Sequence, residues 1–144
     1  MLGARQTAPN VGYTLLDGSV SSTDRLRGKV VLVNFWATDC APCVHEMPQI
    51  VATHEKFRSR GYETLAVAMS YDPPALVIDF AQRRKLPFGV VIDNTGAFAK
   101  GFDDVQVTPT TVLINQRGEI VQRSIGAPDF AALDALVEKL LAQT

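Results

Sequence analysis

The sequence predicts an α/β fold in which strands and helices alternate around one central sheet. Two short, nearly continuous apolar runs, "VVLVNFW" (residues 30–36) and "ETLAVAMS" (63–70), have the pattern of strands buried on both faces. Between them, from Pro42 to about Arg60, apolar residues recur at helical spacing. The chain closes with a β-hairpin and a second amphipathic helix, so a parallel βαβ unit is followed by antiparallel strands.

Each element has a local reason. "YTLLDGSV" reads as strand, Asp-Gly turn and strand, and "SSTDRLRGK" as a short helical turn closed by Gly28. After strand 30–36, Pro42 sits in the first turn of a helix that Gly61 stops. At roughly 100° per residue, Cys43, Met47, Ile50, Val51, His54 and Phe57 share one face of that helix. Strand 63–70 completes the βαβ unit. Asp72 and Pro73 are expected as N-cap and first-turn proline of a helix running towards Lys85. "FGVVID" (88–93) reads as a strand and "TGAFAKGF" as a short helix. "TTVLIN" (110–115) and "EIVQRSI" (119–125) form a hairpin around "QRG". Phe130, Leu133, Leu136, Val137, Leu140 and Leu141 draw the apolar stripe of the last helix. No repeat, low-complexity tract or linker interrupts the chain, which predicts a single domain over residues 1–144.

Composition narrows the function. With 47% hydrophobic and 20% charged residues, the chain suits a packed core and not a disordered segment. A formal net charge of -1 offers no basic field for nucleic acid or an anionic membrane. No apolar stretch approaches the roughly 20 residues that span a bilayer. "MLGARQTAPNVGY" lacks the apolar region of a signal peptide, and Met1-Leu2-Gly3 fits a start from which a targeting segment has been trimmed. Two cysteines are too few for a disulfide-stapled scaffold.

Those two cysteines lie together in "NFWATDCAPC" (34–43), where the buried strand gives way to the helix. A thiol at a helix N-terminus meets unpaired backbone N–H groups and the positive end of the helix dipole, both of which favour thiolate. This makes Cys40 the attacking sulfur, with Cys43 one turn on and able to resolve a mixed disulfide. Pro42 is tolerated there because a first-turn N–H has no partner to lose. A purely structural bridge this short removes little chain entropy and stabilises weakly. A zinc site needs four ligands, and no second C-x-x-C supplies them. His45 points away from the Cys43 face, and His54, on the apolar stripe, reads as a packed histidine. Redox exchange therefore leads, with a copper-binding variant the strongest metal alternative.

In this order the motifs resemble the thioredoxin superfamily, and within it the TlpA/ResA-like thiol–disulfide oxidoreductases. "APNVGYTLLDGSVSSTDRLRGKVVLVNFWAT" is similar to the family's N-terminal hairpin and first central strand, "CAPC" to its C-x-x-C, and "HEMP" to the continuing helix. "VTPTTVLINQRGEIV" resembles the strand behind its cis-proline and the following hairpin, and "SYDPPALVIDFAQRRKLPFGVVIDNTGAFAKGF" the central αβ insertion. The resemblance implies a thioredoxin-like fold: a central mixed sheet flanked by helices, with the N-terminal β-hairpin as an extension.

It also implies roles. Cys40 is the nucleophile, Cys43 the resolving thiol, and Pro109 a cis-proline beside them in space. The backbone of Thr108 holds an extended client segment by strand-like hydrogen bonds, and Trp36 packs beneath the site and belongs to the docking region. Glu46, three residues past Cys43, matches an acidic residue that shuttles the Cys43 proton; a solvated surface glutamate is the alternative. Asn34 stands where minimal thioredoxins carry a buried aspartate, which moves proton handling towards Glu46. Asp39 departs from the tryptophan usual before the first cysteine; its charge opposes the Cys40 thiolate and tunes the redox poise.

The expected function is reduction of disulfides in client proteins, for example in cytochrome c maturation or metal-site assembly. No cofactor beyond the Cys40–Cys43 disulfide is expected, and no phosphate-cradling glycine loop is present. The resemblance implies a membrane thiol reductant as electron donor and a place on the periplasmic or extracytoplasmic side of a bacterial membrane; a cytoplasmic protein remains compatible with the residues. A monomer is expected. The alternatives are a thiol peroxidase of the peroxiredoxin or glutathione-peroxidase type, against which Ala37 stands where a peroxiredoxin carries threonine, and a copper- or zinc-binding chaperone.

Overall fold

The computed structural model describes residues 5–143; Met1-Leu2-Gly3, the expected trimming point, lies outside the described residues. Among the described residues, seven strands and four α-helices follow one another as β1 (Gly12–Thr14), β2 (Val20–Ser22), β3 (Val30–Trp36), α1 (Ala41–Phe57), β4 (Tyr62–Ala68), α2 (Pro74–Arg83), β5 (Gly89–Ile92), α3 (Ala97–Gly101), β6 (Thr110–Ile114), β7 (Ile120–Ile125) and α4 (Phe130–Leu141). β1 and β2 form a separate hairpin, and the main sheet has the order β5-β4-β3-β6-β7. β3, β4 and β5 are parallel; β6 is antiparallel to β3, and β7 to β6. The sheet is mixed, as expected.

β3 occupies the middle, and all seven of its residues are buried. Strand alternation sends its side chains into two layers. Leu32 and Trp36 join Cys43, Met47, Ile50 and Phe57 of α1, Val77 of α2, and Leu133, Val137 and Leu140 of α4. Val31, Val33 and Phe35 pack instead against Tyr13 of the hairpin and Phe98 and Phe102 at α3. A central strand buried on both faces cannot alternate apolar and polar residues, which is why "VVLVNFW" reads as a continuous run.

Helix α1 passes into a 3₁₀ turn at Arg58–Arg60, and Gly61 then takes φ of 94°, the left-handed conformation that ends the helical path at the expected residue. The short turn before Gly28 is likewise 3₁₀, over Thr23–Leu26.

One expectation is corrected. Asp72 does not cap α2, which begins at Pro74 with Pro73 in the N-cap place and no side-chain cap. The two prolines carry no N–H, so the first turn offers few donors. The Asp72 carboxylate, 3% exposed, turns the other way and accepts from the N–H and hydroxyl of Thr38 at 2.7 and 2.6 Å.

Candidate active site

The end of β3 delivers the chain to the site. Ala37 accepts from the Cys40 N–H at 3.2 Å, which makes the turn 37–40 that swings Cys40 to the N-cap of α1. Cys40 and Cys43 form a disulfide, with Cα atoms 5.2 Å apart. The Cys43 N–H donates to Cys40 Sγ at 3.3 Å, so one of the orphan donors at the helix start faces the Cys40 sulfur. The two sulfurs differ in access: Cys40 is partly exposed, Cys43 fully buried. Pro42 lies exposed in the first turn. Asp39 is exposed beside Cys40, where water and salt weaken its field.

Glu46 lies one turn beyond Cys43 on the buried face of α1. It is only 2% exposed, and among the described residues neither carboxylate oxygen has a hydrogen-bond partner. Desolvation pushes its pKa up to about 7, because burial penalises the charged form and no donor offsets that cost. This removes the surface-glutamate alternative. Asn34, fully buried, also leaves both amide atoms without partners among the described residues. It aligns with Ala66 of β4 and Thr111 of β6, and alternation turns it to the α1 side of the sheet.

Thr108 and Pro109 are joined by a cis peptide bond. Thr110 pairs with Phe35, so Pro109, one residue earlier, comes abreast of Trp36 at the end of β3 that leads to Cys40. The loop before it exposes Val107 at 53%, and Ile125, opposite Thr110 on β7, is 72% exposed. Apolar side chains therefore stand in water beside the cis-proline.

Trp36 departs from its expected share in docking. Its side chain is completely buried, 5.0 Å from the Phe80 ring, and so supports the floor of the site without reaching a client. Phe80 and Leu76 of α2 continue from it into an open groove beside Thr38 and Asp39, with Arg84 stacked over the Phe80 ring at 4.8 Å. His45 is exposed on the outer face of α1. His54 is a core residue: its Nδ1 shares a 3.0 Å hydrogen bond with the Thr64 hydroxyl, the ring packs edge-on against Phe88, and desolvation lowers its pKa. Sequence reasoning missed the Thr38–Asp72 contact. The signal was there in the two prolines after Asp72, which leave that carboxylate little to cap.

A family model described as Redoxin matches residues 4–137. The chain belongs to the redoxin family. Among redoxin relatives it is 33% identical to the thiol-disulfide oxidoreductase ResA of Bacillus cereus over 133 residues, covering 92% of this chain and 76% of that one. It is 38% identical to the ResA of Geobacillus kaustophilus over 116 residues, covering 81% and 66%. A solution structure of a candidate thioredoxin from Neisseria meningitidis superposes with a TM-score of 0.89 at 36% identity, covering 98% of this chain and 93% of the other. This redoxin has the thioredoxin-like fold and a TlpA/ResA-like sequence, and its C-x-x-C disulfide makes it a thiol–disulfide oxidoreductase.

Proposed function

We propose that the protein reduces disulfides of client proteins, with Cys40 as nucleophile, Cys43 as resolving thiol and Glu46 as proton acceptor. The observation that carries this is the contrast between a partly exposed sulfur at the helix start and a buried one next to a buried, unpartnered carboxylate. The Cys40 thiolate attacks one sulfur of the client disulfide. That S–S bond breaks, the client's other sulfur leaves as thiolate, and Cys40 is joined to the client. Cys43 then passes its proton to Glu46 and attacks Cys40 Sγ; the mixed disulfide breaks, and the client leaves reduced by two electrons. A carboxylate titrating near neutral pH suits this transfer.

Thr108 offers backbone hydrogen bonds to an extended client segment, and the exposed Val107 and Ile125 favour apolar residues in it. The client class we favour is extracytoplasmic proteins with disulfides at thiols that must stay free to bind haem or metal. The matching electron donor is a membrane thiol reductant, the acting species a monomer, and the disulfide the whole redox equipment.

Two measurements test this. Insulin reduction should outpace peroxide consumption with the same thiol donor; faster peroxide turnover favours a thiol peroxidase instead. A Cys43→Ala variant should accumulate mixed disulfides through Cys40 in a periplasmic extract, and failure to trap any client counts against the protein-reductase role.

A further inference from the structure

The segment that enters the cis-proline is held from β7. It starts with a reversal at the end of α3, where Asp103 and Asp104 both adopt positive φ, 65° and 54°, a conformation few residues other than glycine accept. The Asp104 and Val105 N–H groups close on the carbonyls of Lys100 and Ala99 at 3.1 and 3.0 Å. The Phe102 carbonyl takes a donor from outside: Arg123 Nη1 reaches it at 3.1 Å, while Nη2 lies 3.7 Å from the Asp103 carboxylate. At the far end, the Pro109 carbonyl accepts from the Gly126 N–H at 2.8 Å. β7 and the glycine after it thus grip both ends of residues 102–109. Phe102 and Val105 are buried between the grips, while Val107 stands exposed.

We propose that Arg123 is a positioning residue for client docking. By tying Phe102 and Asp103 to the sheet it sets the course of residues 104–108, and with it the place of the Thr108 backbone. Arg123 aligns with Val112, whose side chain lies in the α3 layer, on the opposite face of the sheet from α1 and the cysteines. Its influence falls on docking and not on sulfur chemistry. A guanidinium suits the task because its rigid fork reaches a carbonyl and a carboxylate together, which an ammonium on a flexible stem cannot do as well. This inference rests on the docking role proposed above for Thr108.

The test compares Arg123→Met and Arg123→Lys with the parent, using insulin and the small disulfide 5,5′-dithiobis(2-nitrobenzoate). Loss of one charge-assisted hydrogen bond is expected to raise the KM for insulin about tenfold in Arg123→Met. Arg123→Lys, which keeps the charge and a donor, should raise it about threefold. The kcat, the small-disulfide rate and the reduction potential should stay at parent values in both. An insulin KM within twofold of the parent in the folded variants overturns the proposal; so does a fall in small-disulfide rate or a change of potential alongside the insulin loss. If Arg123→Met fails to fold, Arg123→Lys decides by the same criteria. Hydrogen exchange of the 104–108 amides, expected to be about tenfold faster in Arg123→Met, reads the segment without any client. Unchanged exchange overturns the proposal, whereas a parent inactive on insulin overturns only the client reading.

Discussion

Thr38 gives both its donors to one carboxylate: its N–H and hydroxyl reach the two oxygens of Asp72 at 2.7 and 2.6 Å, across 34 residues of sequence. The loop after β4 is thereby fastened to the turn that presents Cys40. Hydrogen bonds to a charged group contribute roughly 1.5–3 kcal/mol each, and a buried donor left alone costs about as much. Asp72→Ala should therefore lower stability by about 3 kcal/mol in urea unfolding, and Asp72→Asn by less, since the amide oxygen still accepts one bond. An unshifted midpoint for Asp72→Ala would show that the fastening contributes nothing.

Glu46 has a raised pKa, near 7 against an ordinary 4.5. A carboxylate held up in this way is ionised in the unfolded chain before it is ionised in the fold. Its penalty is absent below about pH 4.5 and grows as pH rises towards 7, reaching about 3 kcal/mol by the linkage relation. Glu46→Gln should be the more stable protein at pH 8, with the advantage vanishing near pH 4, while its turnover as a reductase falls. Equal stability of variant and parent at pH 8 would mean that the carboxylate is not desolvated.

His54 acts in the opposite sense. Its pKa is lowered by burial, so the stability linked to the neutral ring is complete above pH 6.5 and is lost as pH falls through the depressed value. Replacing it with glutamine, which keeps a partner for Thr64, should flatten the acid limb of the stability profile. Because His54 titrates equally in the parent and in Glu46→Gln, subtracting those two profiles isolates Glu46.

The Asp39 carboxylate stands next to Cys40; if its charge opposes the Cys40 thiolate, the reduced protein is disfavoured and the potential is kept low. Asp39→Ala should raise the potential, by about 10–20 mV given that an exposed charge acts through less than 1 kcal/mol. Equilibration against glutathione measures it, and the shift should shrink with added salt. A downward shift would reverse the electrostatic assignment.

Much of this was legible in the sequence because the elements that build the site carry strong periodic or punctuating signals. β3 announced itself by the nearly continuous apolar run at 30–36, and α1 by its stripe and by Gly61. The resemblance supplied the pairing of Cys40 with a cis-proline at 109, which no local pattern could give, since the two come to the same end of the sheet only when β6 aligns with β3. Glu46 was placed by its spacing from Cys43, which leaves core and surface both open; only the packed layer decides that it is buried. Asp72 and Trp36 were misread for one reason: a side chain's environment is set by what lies across from it. Asp72 found Thr38 where a local rule predicted its own helix, and Trp36, packed beneath the site as the likeness implied, lies wholly against neighbours such as Phe80 and keeps no surface for the docking share expected of it. Arg123 gave no sign at all, as its partners are a backbone carbonyl and an aspartate in another element.

The unequal burial of Cys40 and Cys43 has a practical corollary for anyone following this protein inside cells. A bulky maleimide added to the intact, reduced molecule should mark position 40 and leave 43 untouched, giving a one-label band that mimics partial oxidation. Acid quenching and full unfolding before labelling are needed to count both thiols.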